Sequence, residues 1–241
     1  MRSDVQTGGS VIPSAANPSA QRYLLKDFPG SSHRLLAAWM RELPPESRIL
    51  ELGPGAAHVA MLVRRRDVDW IGLEGSLDCL RGMREVLSGG AIVDLESIRR
   101  LPAGCSAVLA ADTLEHLNDP AGMLHKIHQA LPAGGLLLLS VPNVANLHVR
   151  LNLLFGRFPY RDRGILDRTH RYFFTASSLR TMVAAAGFAI ERRSVSTIPL
   201  PLTLPRLPRP VLQAFSFLLA GLTRLLPTLL GYQLLLRARR L

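Results

Sequence analysis

Three features of the 241-residue sequence predict an α/β fold, doubly wound, with a mostly parallel seven-stranded sheet and helical insertions after strands five and six. From Arg48 onward, short apolar runs alternate with segments of helical spacing. The run Gly135–Val141 carries four consecutive leucines and no charge, as a strand buried on both faces does. The glycine-rich Gly53-Pro54-Gly55 leaves the first strand and opens the first helix after it. Strands separated by helices pair in parallel through right-handed crossovers.

The strands read as Ser47–Leu52, Val68–Leu73, Ala91–Asp94, Ser106–Ala111, Gly135–Val141, Ala189–Ser196 and Gly231–Arg239. The last is expected to run antiparallel and to insert beside the sixth. Helices are expected over Ala56–Arg66, Leu77–Leu87, Pro120–Leu131 and Ala176–Ala186, the last closed by Gly187. Two stretches interrupt the alternation. Residues 143–175 hold a helix over Val144–Phe155 and an Arg- and aromatic-rich loop, and residues 198–230 hold a proline-rich stretch and an apolar helix. Both lie where they cover the carboxyl edge of the sheet, the edge along which open α/β sheets bind ligands. Residues 1–20 are rich in Ser, Gly, Pro and Ala and read as a disordered leader, leaving one domain over 21–241.

Composition narrows the function. Half the chain is apolar and only 20% is charged, which excludes global disorder. Cys79 and Cys105 are too few for a disulfide framework or a four-cysteine zinc site. A net charge of +11 suggests nucleic acid, but 27 of the 29 basic residues are Arg and no nucleic-acid motif accompanies them. The stretch from Arg192 to Leu241 holds eight Arg and no acid, which suits an anionic membrane surface at least as well. No secretory signal or spanning helix is read. The apolar stretch Val211–Leu236 is broken by Arg224 and Pro227. A cytoplasmic chain with a peripheral contact at the inner face of the membrane through 199–230 is therefore expected.

The motif Leu50-Glu51-Leu52-Gly53-Pro54-Gly55-Ala56-Ala57 carries the strongest chemical signal. Its two glycines let backbone approach a ligand closely, and Glu51 at the mouth repels a pyrophosphate but suits a cationic amino-acid moiety. Glu74, at the end of the second strand and 21 residues after Gly53, is placed as an acid for ribose hydroxyls. An ordinary strand-to-helix turn stands as the alternative for a lone pair of glycines. Together with Asp94-Leu95, the run Asp112-Thr113-Leu114-Glu115-His116-Leu117-Asn118-Asp119-Pro120 and the turn Pro132-Ala133-Gly134-Gly135, this series resembles the ordered motifs of class I S-adenosylmethionine-dependent methyltransferases of Rossmann-like fold. The likeness covers roughly Arg34 to Phe188 plus the last strand. It departs at Ala57, where the family usually has a third glycine.

The resemblance implies S-adenosylmethionine as cofactor. Gly53 and Gly55 would approach its methionine part, with Glu51 at the amino group or ordering the loop. Glu74 would take the ribose hydroxyls, Asp94 and Leu95 would flank the adenine, and Ala111 and Asp112 would line the floor by the sulfonium. For Asp94 a helix cap or a solvated turn acid is the alternative. The segment from Asp112 to Pro120 also resembles ubiquinone-pathway O-methyltransferases. Gly164 to Thr175 resembles bacterial methyltransferases of small molecules, glycans and lipid-linked intermediates. These likenesses imply O-methylation of a small-molecule, glycan or lipid-linked acceptor, with His170 as general base beside Asp112. For His170 a purely structural role in the loop is the alternative. Asp112, Glu115 and His116, at i, i+3 and i+4, would meet on a helix and offer a divalent-metal site, or else brace the loop. The other five histidines, His33, His58, His125, His128 and His148, follow no chemical pattern. A non-catalytic cofactor-binding module and an NAD-linked oxidoreductase are the competing functions.

Overall fold

The computed structural model describes residues 25–83, 86–203 and 208–241. The expected leader, residues 1–20, lies outside them. A first helix, α1 (Ser32–Arg41), begins where the Ser31 hydroxyl accepts the Arg34 amide, and it precedes β1 (Arg48–Leu52). The chain then alternates through α2 (His58–Val63), β2 (Asp69–Glu74), α3 (Leu77–Met83), β3 (Gly89–Ile92), β4 (Ala107–Ala111), α4 (Pro120–Ala130) and β5 (Leu136–Pro142). Helix α4 starts as its sequence dictates, with the Asp119 carboxylate capping the Gly122 amide and Pro120 in the first turn. Helices α5 (Leu147–Leu154) and α6 (Ala176–Ala185) follow, then β6 (Phe188–Val195), α7 (Leu200–Thr203), α8 (Arg209–Leu225), α9 (Pro227–Leu230) and β7 (Gln233–Arg240).

The strand order is β3-β2-β1-β4-β5-β7-β6, parallel from β3 to β5, with β7 antiparallel to both neighbours as expected. The order reverses between β1 and β4, so a crevice opens beyond their carboxyl ends. Alternate residues feed two cores. Leu50, Val108 and Leu137 face one layer of helices, and Ile49, Leu109 and Leu138 face the other. Glu51 shares the second face and is therefore carried into the interior.

Several boundaries differ from the sequence reading. Strand β3 lies two residues early, at Gly89–Ile92, as the sheet's edge. Helix α1 lies before the first apolar run and carried no expectation. Helix α5 starts at Leu147 rather than Val144, because Asn143 and Asn146 are used otherwise. Asn143 donates to the carbonyls of Thr228 and Gly231 at 3.0 and 2.9 Å, and Asn146 donates to Gly231 at 3.0 Å. The two insertions are thus tied to each other by buried amides.

Helix α8 is unusual for an amphipathic helix. Ser216, Ala220 and Thr223 line, with Val195 and Leu235, a cavity of about 1060 Å3 between the helix and the body. Most of the helix's large apolar side chains point elsewhere: Phe215 is 57% exposed, Leu218 60%, Val211 and Leu222 are also exposed, and Leu225 is 77% exposed. The apolar side of α8 is therefore not turned to the core. Among the tail's arginines, Arg192 and Arg237 pair with Glu42, and Arg237 and Arg239 with Glu191. Arg206 lies outside the described residues. No helix among the described residues is long and apolar enough to cross a membrane.

Candidate active site

After β1 the backbone takes three left-handed turns at alternate positions, Gly53 (φ 61°), Gly55 (φ 56°) and Ala57 (φ 52°). Ala57 keeps the conformation of the missing third glycine at the cost of a strained φ. Pro54 packs against Gly72 of β2, where a Cβ would meet Pro54 Cγ at 2.9 Å and Leu87 Cδ1 at 2.8 Å. Gly72 is thus the bare strand position over which the loop folds. Glu74 fixes the loop from the end of β2, its carboxylate accepting the Gly55 amide at 2.9 Å and the Ser76 amide at 3.0 Å. Beneath the loop, buried Glu51 accepts the Trp70 indole N–H at 2.8 Å. Burial raises its pKa to about 8, opposed by the indole hydrogen bond and reinforced by the Glu74 charge.

A cavity of about 480 Å3 opens past these strand ends. Of the residues expected at the cofactor, Glu51, Gly53, Ala111 and Asp112 line it. Gly55 and Glu74 do not line it and stand behind the loop they shape. Asp94 and Leu95 lie outside it as well. Asp94 is exposed, and its carboxylate accepts the Glu96 amide at 3.0 Å in the turn after β3.

Asp112 holds the floor in a left-handed conformation (φ 54°), which aspartate tolerates better than most residues. Ser140 Oγ donates to it at 2.7 Å, and Gln233 Nε2 and Lys26 Nζ donate as well. Burial pushes its pKa up, but the Lys26 charge and the hydrogen bonds from Lys26 and Ser140 outweigh burial and hold it at about 2. Lys26, His33, His58, Tyr232 and Gln233 line the same cavity and were missed in the sequence. His33 and His58, read there as without pattern, sit with ring centroids 5.4 Å apart. Burial and the nearby Lys26 depress His33 to about 3, so its ring is neutral. Lys26 had one available signal, being one of only two lysines among 29 basic residues.

The opposite wall carries Glu115, His116 and His170. The expected α-helical meeting of Asp112, Glu115 and His116 does not occur. The left-handed turn at Asp112 sends its carboxylate to Lys26, Ser140 and Gln233, and Leu114–His116 forms a single 3-10 turn. His170 takes the vacated place. The ligating atoms of Glu115, His116 and His170 lie within 4.8 Å of one another, and the two imidazole centroids are 4.9 Å apart. Burial, then the Asp112 charge, raises the Glu115 pKa well above the carboxylate range, and burial lowers that of His170.

A methyltransferase-domain family model matches residues 21–192. An S-adenosylmethionine-dependent methyltransferase of Mesorhizobium loti superposes with a TM-score of 0.56 at 18% identity, over 88% of this chain and 99% of that one. The magnesium protoporphyrin IX methyltransferase of Synechocystis PCC 6803, solved with S-adenosylhomocysteine bound, superposes with a TM-score of 0.60 at 15% identity, over 87% and 82%. At these identities the likeness is one of fold. The family match spans well over half the sequence, and the chain therefore belongs to the methyltransferase-domain family, as a class I S-adenosylmethionine-dependent methyltransferase.

Proposed function

We propose that the enzyme methylates a hydroxyl oxygen of a small-molecule, glycan or lipid-linked acceptor in the cavity between the glycine loop and the wall of Glu115, His116 and His170. One observation carries the reading: a single cavity joins a cofactor end, with Glu51, Gly53 and Asp112, to an end lined by two histidines and Tyr232. The donors fit the cofactor. Glu51 is a buried acid whose proton a cationic amino group would displace, and the loop's bare glycines leave backbone room for the methionine part. Glu74 holds the loop and offers remaining lone pairs to ribose hydroxyls, with Asp94 and Leu95 further out toward the adenine.

When bound, S-adenosylmethionine supplies a methyl group that an acceptor lone pair displaces from sulfur, the bond pair staying on sulfur. The chain's own share is placement and proton handling. Asp112 is committed to three donors and serves as an organiser of the floor. His170 has Nδ1 at 3.0 Å from the Ile165 carbonyl, which leaves its Nε2 lone pair to receive the hydroxyl proton. Labelled S-adenosylmethionine with a panel of phenols, sugars and lipid-linked sugars tests the reading. Label in an oxygen-methylated product supports it, and transfer only to nitrogen or carbon acceptors refutes it.

The exposed ridge Phe215, Leu218, Leu222 and Leu225 on α8 is assigned to an anionic membrane surface. Exposed Leu154 and Phe155 at the end of α5 add a second apolar tip in the other insertion, and no acid occurs between Arg192 and Leu241. Such docking favours a membrane-associated acceptor.

A further inference from the structure

We propose that the cavity beneath α8 binds one chain of an anionic membrane lipid, with the lipid phosphate held by the arginines of its wall. The inference extends the membrane assignment of α8 and is independent of the transfer reaction. It starts from the way the helix sits. The inward side of α8 carries the small residues Ser216, Ala220 and Thr223, which would let it pack closely on the body, yet a space of about 1060 Å3 lies between. That volume is at the upper end of the roughly 300–1,000 Å3 of small-molecule sites. The facing wall is apolar, with Leu179 of α6, Val195 of β6, and Leu234 and Leu236 of β7.

Thr223 is a second, independent observation. It is only 2% exposed, and its Oγ1 has no hydrogen-bond partner among the described residues. A helical threonine ordinarily returns its hydroxyl to a carbonyl one turn back, and a hydroxyl that reaches neither carbonyl nor water carries a desolvation cost. Thr223 lines the cavity, so a ligand oxygen there accepts from it and removes that cost.

Charge is the third observation. Arg180 of α6, Arg193 of β6 and Arg224 of α8 line the cavity, and no Asp or Glu does. Among the described residues these three make no ion pair, whereas Arg192, Arg237 and Arg239 of the same sheet pair with Glu42 and Glu191. Arginines around an apolar space fit a phosphate on an apolar chain, because each offers forked N–H donors on an apolar stem. Leu212 and Ala220 precede Thr223 on the helix and Arg224 follows it. Chain, ester carbonyl and phosphate therefore lie in that order along about 18 Å of α8, at about 1.5 Å per residue. The protein's own first 24 residues do not match this charge, holding Arg2 and Arg22 against the single acid Asp4. Helix α8 then turns its large apolar residues to the bilayer and its small ones to a chain drawn from it.

Lauroyl lysophosphatidic acid, kept below its micelle concentration, is titrated into the full-length protein by calorimetry, beside lauroyl lysophosphatidylcholine and glycerol 3-phosphate. Saturable binding of one lysophosphatidic acid is expected, with the choline lipid at least about tenfold weaker and no binding of glycerol 3-phosphate. Ala220→Trp fills the space from the helix side and is expected to weaken binding at least about tenfold. Arg180→Gln combined with Arg193→Gln is expected to remove the preference for the anionic head. Both arginines are exposed, so this variant folds even where the tryptophan does not. No binding of lysophosphatidic acid to wild type, equal affinity for the two heads, or binding unchanged in every variant overturns the site. Sedimentation with anionic vesicles separates the two membrane claims. Wild type that binds lysophosphatidic acid without sedimenting supports the cavity site and refutes the docking ridge, and wild type that sediments without binding it overturns the cavity site alone.

Discussion

The Glu74 carboxylate accepts the amide of Gly55 at 2.9 Å, so the acid at the end of β2 sets the shape of the loop at the end of β1. The proposed role toward ribose and the role in the loop are then two uses of one side chain. A charge-assisted hydrogen bond of this kind is worth about 1.5–3 kcal/mol. Glu74→Ala is expected to weaken S-adenosylmethionine binding at least about tenfold, or about 1.4 kcal/mol. Calorimetric titration checks it, and unchanged affinity removes Glu74 from the site.

Gly72 makes a prediction that no direct ligand contact makes. An added methyl group would press on Pro54 Cγ and Leu87 Cδ1 from below 3 Å, so the loop and the Leu87 side chain must shift to admit it. Gly72→Ala is expected to cost about 1–3 kcal/mol of stability. Because Pro54 belongs to the loop, it is also expected to weaken cofactor binding. Denaturant unfolding and calorimetry together read both effects. A loss of stability with intact affinity would show that the loop does not lean on β2.

Glu51 gives the fold a pH dependence of definite sign. Its folded pKa, about 8, lies above its ordinary 4.5, so the native state binds the proton more tightly. The stability is fully present below pH 4.5 and is lost as pH rises toward 8, with a slope approaching about 1.4 kcal/mol per pH unit. Glu51→Gln removes that titration. The difference in stability between wild type and variant is expected to shift in favour of the variant between pH 5 and 8 and to level off above. A difference that stays flat across this range contradicts a buried, protonated Glu51.

The ridge on α8 separates a lid from a docking helix. Phe215 and Leu218 are exposed, so replacing them together by Ser and Asp is expected to change stability by no more than about 0.5 kcal/mol each. The same change is expected to abolish sedimentation with anionic vesicles at low salt, and Arg224→Gln to weaken it by about 1 kcal/mol. A variant that sediments like wild type refutes the membrane assignment.

The periodic parts of this fold were legible in the sequence. Alternation and unbroken apolar runs located all seven strands, and the glycine loop with Glu51 and Glu74 marked the switch point between β1 and β4. What escaped were contacts between residues distant in the chain. Lys26 reaches Asp112 across 86 positions and Gln233 reaches it across 121, and no local spacing encodes either. The expected meeting of Asp112, Glu115 and His116 fails for a related reason. An i, i+3, i+4 pattern presumes a helix, and the left-handed backbone at Asp112 turns one member away while His170 arrives from a separate insertion. The direction of α8 was equally hidden, because an apolar stripe predicts burial without naming what covers it.

The central claim is that the cavity beyond β1 and β4 is the cofactor site, and Ala111 tests it most directly. This residue ends β4, lines the cavity and is only partly buried, so a larger side chain fills the cavity rather than the core. Titrating S-adenosylmethionine into wild type and Ala111→Phe by calorimetry is expected to show saturable binding to wild type. The variant should bind at least about 100-fold more weakly, near 2.7 kcal/mol, with its unfolding midpoint little changed. Equal affinity in the two proteins would place the cofactor elsewhere and contradict the assignment.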